Sequence, residues 1–200
     1  MNYFTGDWLS DNAIMFDFLE DVHFYSGSER RRMLSVSEKV GGSMLYGLTW
    51  KGYLSKTKNR TIDPSTGLYK TKVMDDYPKL AEIFKEFAEL HFPNHVWEQV
   101  QMNKNFPCPP HTDSSNITSS ILCCFGDYEG GETSIEYPVG IQSFNPRLRP
   151  LSFNGAKYKH WVEPIKSGTR YSLVFFSNSS VRNIIEKKKK EKKNISFKYN

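Results

Sequence analysis

Near residue 95 the hydrophobic period of this chain changes from 3.6 to 2 and stays there. Before that point, DDYPKLAEIFKEFAELHF sets Leu80, Ile83, Phe84, Phe87 and Ala88 at three- and four-residue intervals, the stripe of an amphipathic helix. Asp75 or Asp76 can cap it, and Pro78 suits its first turn. After that point apolar and polar residues alternate. HVWEQVQMN, ITSSILCCF, GETSIEY, LRPLSFN and TRYSLVFFSN read as short strands separated by Pro, Gly, Asp and Asn turns. Nearer the amino terminus, SMLYGLTW and GYLS read as strands, and AIMFDFLEDVHFYS, which carries both spacings, as a short helix or strand. Lys56 to Asp75 reads as a long loop turning at Pro64 and Gly67. The pattern predicts a mainly β domain with a supporting helix (α+β), in which two sheets form a sandwich or jelly roll with a mouth between them. One domain is expected over 1–183, with helix and strand support in 1–95 and the β core in 96–180, followed by a basic, flexible tail over 184–200.

Composition changes this picture in two places. The formal charge of +5 suggests a polyanion partner, but Glu186 to Lys193 holds six Lys and two Glu, a net +4. The body is left nearly neutral, so any attraction to nucleic acid must come from that run. The three cysteines, two of them adjacent at Cys123 and Cys124, form neither a disulfide framework nor a spaced zinc site. A reducing compartment fits them. No basic, then apolar, leader opens the chain, and no apolar run approaches the roughly 20 residues of a membrane span. The expectation is a soluble intracellular protein, cytoplasmic or nuclear, without a membrane partner.

Candidate chemistry centres on PPHTDSSN. Residues two apart in extended backbone project to one side, so His111 and Asp113 can grip one metal ion. Of the remaining histidines, His23, His91 and His95 sit where surface or packing roles are expected. His160, between LSFNGAKYK and a turn through Pro164 and Gly168, is the third candidate ligand. Two histidines and one carboxylate leave open positions on an octahedral iron(II), with zinc as the competing metal. Ten residues on, Arg170 shares a strand face with Ser172, Val174 and Phe176. A guanidinium facing into a barrel needs an anion, because a buried unpaired charge costs several kcal/mol or more. That anion is either a protein group or the far carboxylate of a ligand.

The ordered set of H-x-D, a distal His, and R-x-S ten residues later, spanning Gln101 to Ser177, resembles the Fe(II)/2-oxoglutarate-dependent dioxygenases. The resemblance implies a double-stranded β-helix (jelly-roll) core. It implies Fe(II) on His111, Asp113 and His160 with no fourth protein ligand, 2-oxoglutarate as cosubstrate, and O2 used to hydroxylate a C–H bond. Arg170 and Ser172 would hold the cosubstrate's 5-carboxylate. DYEGGETSIE looks like the prolyl-4-hydroxylase group, which often carries Lys where this chain has Arg170. PPHTDSSN, FGDYEGG and SFNGAKYKHWVEPIKSGTRYSLVFF look more like the TET/J-binding-protein group of 5-methylpyrimidine oxygenases. The cysteine-rich region of animal TET proteins and a separate DNA-binding domain are both absent from the sequence.

Other residues carry weaker signals. Asn103 could bond the cosubstrate and Asn116 the substrate, although a turn-forming role is the commoner one for Asn beside prolines. Trp161 is expected to pack, as are Tyr46, Trp50 and Tyr53, which could instead roof a pocket. Three functions compete. The first is a dioxygenase acting on a base in DNA or RNA, extruded for the chemistry. The second is a hydroxylase of a protein side chain or small molecule. The third is a non-enzymatic barrel that binds a metal or ligand, against which the Arg170 and Ser172 pair argues.

Overall fold

A computed structural model describes residues 2–25, 41–50 and 61–196, with side chains to Glu191. Its elements are α1 (Trp8–Glu20), β1 (Gly42–Thr49), β2 (Tyr69–Lys70), α2 (Lys72–Asp76), α3 (Leu80–His91), β3 (Gln99–Lys104), β4 (Ser120–Phe125), β5 (Tyr128–Gly130), β6 (Thr133–Tyr137), β7 (Gly140–Phe144), β8 (Leu151–Phe153), β9 (His160–Val162), β10 (Ile165–Gly168), β11 (Tyr171–Phe176) and α4 (Ser179–Ser196). The fold is mainly β with supporting helices. Every strand pairing is antiparallel. A six-stranded sheet runs β2-β1-β3-β11-β4-β8, beside a three-stranded sheet β7-β6-β9 and a pair β10-β5. Among the described residues, no helix is long and apolar enough to cross a membrane.

The central strands are buried on both faces, and period-2 alternation sorts their side chains into two cores. Ile121, Cys123 and Phe125 of β4 join Tyr171, Leu173 and Phe175 of β11 on one face. There they meet Met15 and Leu19 of α1 and the predicted α3 stripe, Leu80, Ile83, Phe84, Phe87 and Ala88, all buried. The opposite face carries Leu122, Cys124 and Val174, which pack with Tyr128, Ile135 and Phe153 between the sheets. Helices therefore support the sheet from behind, and the second face is left for a site.

Several sequence expectations are corrected locally. The ambiguous amino-terminal segment is helical, since Asp7 caps α1 by accepting from the Ser10 N–H at 2.8 Å and Asp11, Met15 and Leu19 bury one stripe. Asp75 and Asp76 do not cap α3. They belong to α2, and α3 begins beyond Lys79 without a side-chain cap. The expected long loop thus contains β2 and α2, although the turn at Pro64 to Thr66 is present, built on the Asp63 carboxylate, which accepts from Ser65 and Thr66. Strands β5, β7, β9 and β10 were not expected; β7 is exposed over most of its length and carries no buried apolar alternation. The GYLS strand and Tyr53 lie outside the described residues. The Lys-rich run expected in a tail is helical, as part of α4.

The amino-terminal segment is fastened by one buried carboxylate. Asp11, fully buried, accepts from the Thr5 N–H (2.7 Å), the Thr5 hydroxyl (2.8 Å) and the Gly6 N–H (2.8 Å), and meets His91 Nε2 of α3 at 2.9 Å. Burial pushes its pKa up, but the hydrogen bonds from Thr5, Gly6 and His91 outweigh burial and hold it below the ordinary value. Asp11→Ala should destabilise the protein by about 3 kcal/mol, because it strands several buried donors. A carboxyl with a lowered folded pKa stabilises above its unfolded pKa of about 3.9, and that contribution fades as pH falls through the folded value. Urea melts should show the full gap between wild type and variant near neutral pH, narrowing in acid.

Candidate metal centre

Three side chains from two chain segments, His111 and Asp113 from one and His160 from the other, converge at the edge of the inter-sheet core. His111 and His160 are held opposite each other by a two-way backbone bridge, each N–H donating to the other's carbonyl at 3.0 Å. Their rings lie 4.2 Å apart between centroids. Asp113 enters from below: its N–H donates to the Gly155 carbonyl at 2.9 Å, and its own carbonyl accepts from Asn116 N–H at 2.9 Å, closing a turn. One carboxylate oxygen stands 3.7 Å from His111 Nε2 and the other 3.5 Å from His160 Nε2. All three ligand atoms lie within 4.8 Å of one another. Small side-chain rotations bring such a set to one centre at the ~2.1 Å of an imidazole–metal bond.

The imidazoles are prepared for that role by what they do with their other nitrogen. His111 Nδ1 lies 2.8 Å from the Pro109 carbonyl and His160 Nδ1 3.0 Å from the Tyr158 carbonyl. Carbonyls only accept, so each Nδ1 carries a proton, which leaves each Nε2, on the Asp113 side, as the nitrogen available to a metal. His160 is buried and braced by the edge of Phe153. Gly155 supplies the necessary room, since a Cβ there would sit 3.3 Å from both the Asp113 carboxylate and the His160 ring. The donor set and its cradle fit a divalent metal with open positions.

Arg170 lies deeper, one residue before β11. It is 1 % exposed, its Nε has no partner, and its Nη2 lies 3.5 Å from the Thr133 hydroxyl. Among the described residues it forms no ion pair with a carboxylate. The side chain is nevertheless well positioned. Its N–H donates to the Asn105 side chain at 2.7 Å, its carbonyl accepts from Asn105 N–H at 2.8 Å, and its guanidinium lies over the Tyr128 ring at 5.8 Å. Asn105 adopts φ 42°, a left-handed conformation that Asn tolerates. The Gly-Gly pair now has its reason. Gly130 and Gly131 take φ of 71° and 69°, and a Cβ on Gly131 would stand 2.8 Å from Arg170 Cδ. Burial pushes the neighbouring Cys124 thiol up in pKa, against the pull of Arg170.

The other sequence candidates divide. Ser172 is buried beside the arginine on the same strand face, and Asn103 joins it, donating to its hydroxyl at 3.1 Å while accepting from Ser43 at 2.7 Å. Asn116 takes the turn-forming role, with its amide on the Ser120 hydroxyl at 3.2 Å. Trp161 donates to Glu163 at 2.7 Å, and Tyr46 is buried against Phe84. Burial pushes the Tyr46 phenol up to about 12. His91 and His95 are structural, the latter bound to the Phe175 carbonyl at 3.0 Å. Thr133, Tyr128, Asn105 and Gly155 were missed. Only the alternation of GETSIE, which puts Thr133 on the face of Ile135, carried a signal for any of them.

Comparison with known proteins finds a stretch of 70 residues that is 37 % identical to Tet-like dioxygenase 1 of Naegleria gruberi. It covers 34 % of this chain and 22 % of that protein. The resemblance read from the sequence is borne out at that level. No family model matches. Among solved structures, NgTET1 in complex with 5mC DNA aligns with a TM-score of 0.46 at 18 % identity, over 81 % of this chain and 68 % of that one. A prolyl hydroxylase from Trichoplax adhaerens, in complex with a hypoxia inducible factor oxygen degradation domain peptide fragment, gives 0.45 at 11 % identity, over 92 % and 84 %. A 2OG-Fe(II) oxygenase family oxidoreductase from Burkholderia pseudomallei gives 0.44 at 18 % identity, over 68 % and 67 %.

The site geometry predicts a graded loss of metal. Asp113→Ala should abolish stoichiometric cobalt(II) binding, followed by its d–d absorbance. Gly155→Ala should keep the ligands but weaken binding about tenfold, the scale of a disturbed outer shell. Unchanged affinity in Gly155→Ala would show that the cradle has slack.

Proposed function

We propose that this protein is an Fe(II)/2-oxoglutarate-dependent dioxygenase with a double-stranded β-helix core, acting on the 5-methyl group of a pyrimidine in nucleic acid. The observation that carries the enzymatic reading is Arg170, a buried guanidinium without a protein carboxylate among the described residues, set over Tyr128 of the inter-sheet core whose Phe153 packs against His160. A store for metal alone would not need it. The 37 % identical match to a Tet-like dioxygenase supports the base as substrate.

In this reading His111 and His160 present Nε2, Asp113 presents its carboxylate, and the three occupy one side of the iron. The remaining positions are left to 2-oxoglutarate and O2. Arg170 offers its planar fork to the 5-carboxylate of the cosubstrate, with the Thr133 and Ser172 hydroxyls beside it. Asn103 sets the Ser172 hydroxyl by donating to it. The Tyr128 ring and Cys124 close the pocket around the guanidinium and keep water away, which strengthens the charge pairing. When bound, iron supplies the oxidising power. The residues around it hold the cosubstrate and decide which C–H bond is brought close, and a base must leave its stack to be brought there.

Purified protein with iron(II) should convert 2-oxoglutarate to succinate, and DNA containing 5-methylcytosine or thymine should yield hydroxymethylated bases by mass spectrometry. Succinate without any oxidised base, on single- and double-stranded DNA, would instead indicate a hydroxylase of a protein side chain or small molecule.

Arg170→Ala should weaken 2-oxoglutarate binding by about 2–5 kcal/mol, the range for removing one partner of a buried charged pair. Arg170→Lys, which keeps the charge and loses the fork, should fall between. Equal affinity in all three proteins would make Arg170 a structural residue.

A further inference from the structure

The lysine-rich run is fastened to the loop that carries Asp113. Backbone and side-chain hydrogen bonds tie that loop, residues 113–117, to the start of α4. Ser179 N–H donates to the Ser115 carbonyl at 2.9 Å, Asn178 donates from its side chain to the Ser115 hydroxyl at 3.0 Å, Ile117 N–H donates to the Ser177 carbonyl at 3.1 Å, and Asn116 and Asn178 form a backbone bridge. The first turn is then locked to the body. Val181 is buried, and Arg182 pairs with the largely buried Glu98 at 2.6 Å. Beyond this anchor Lys187, Lys188, Lys189 and Lys190 are all exposed. Lys188 and Lys189 also meet Glu191 and Glu186 on the helix surface at 2.9 and 3.3 Å, pairs that solvent weakens.

We propose that α4 is a phosphate-binding arm that grips the nucleic-acid backbone beside the metal centre. The charge complementarity is specific in kind. Four consecutive helical lysines point around the whole helix, and Glu186 to Lys193 contains no apolar residue, so the segment lacks the buried face by which a helix lies on a membrane. A polyphosphate backbone passing alongside suits charge on several sides. At 1.5 Å per residue, Lys187 to Lys190 lie about 12–17 Å along the helix from Ser179. That reach corresponds to about three to five nucleotides at 3.4 Å per step of one strand. The arm therefore engages phosphates a few nucleotides from the base presented at the metal centre. This placement rests on the nucleic-acid reading proposed above, whereas the affinity for DNA does not require that any base be oxidised.

The test uses the full chain and a variant with Lys187→Gln, Lys188→Gln, Lys189→Gln and Lys190→Gln, which keeps helix-forming residues. Anisotropy of labelled, unmodified duplex DNA across a salt series should give a slope of log affinity against log salt that is shallower by about 3–4 in the variant, near 0.9 for each phosphate no longer neutralised. The matching Lys→Arg variant should retain the wild-type slope. Duplexes of about 6, 12 and 24 base pairs with a central 5-methylcytosine bracket the reach, and the variant's deficit should be small for the shortest and full for the longest. An unchanged slope overturns the arm even if wild type oxidises the base. A flattened slope without any oxidised base keeps the arm and overturns the proposed substrate. Loss of binding to phosphatidylserine vesicles, with DNA binding unaltered, would overturn nucleic acid as the occupant.

Discussion

The structure depends on burying β4 and β11 on both faces at once. A strand with one wet face needs only one apolar set, but these two strands carry two sets, and each set is committed to a different partner. Tyr171, Leu173 and Phe175 are held by the helices, and each such burial contributes about 1.5–3 kcal/mol. That packing fixes the strand's rotation and register. Because the side-chain period is two, it also fixes where Ser172 and Val174 point, and a one-residue slip would turn the helix-facing residues into the site. Helix packing thus aims the inter-sheet face.

Within that frame the site has a dry end and a wet end. Arg170 sits at the dry end, where Thr133, Tyr128 and Cys124 surround it, and the Gly130–Gly131 turn lets the backbone pass close to its side chain. Asp113 and His111 are more open, at the rim, where the loop 113–117 meets the start of α4. The polarity is chemically sensible. A carboxylate held by a buried guanidinium gains from exclusion of water, whereas a reacting centre must admit a substrate. The same hydrogen bonds that seat the Asp113 loop also set the origin of the lysine helix, so the charge of this chain is placed relative to the site by backbone geometry.

The sequence by itself determined the α3 stripe and the main β strands, and it singled out His111, Asp113 and His160, which the fold brings together, because each rests on local periodicity or on residue types with few alternative uses. It also determined that Arg170 needed an anion, since a guanidinium on an apolar strand face is costly in any fold. Tertiary structure decided the rest. That no protein carboxylate among the described residues meets Arg170 is a statement about neighbours 37 and 42 residues away in sequence, Thr133 and Tyr128, whose roles no local pattern encodes. Asp75 and Asp76 looked like caps for α3 and were claimed by α2, a short helix with too few residues to show a period. Gly155 carries no strained φ and gave no turn signal stronger than its neighbours; only the approach of Asp113 and His160 makes its missing Cβ matter. The lysine run was legible as charge, but its position beside the metal loop came from pairing between residues 115–117 and 177–179, a contact made by chain topology.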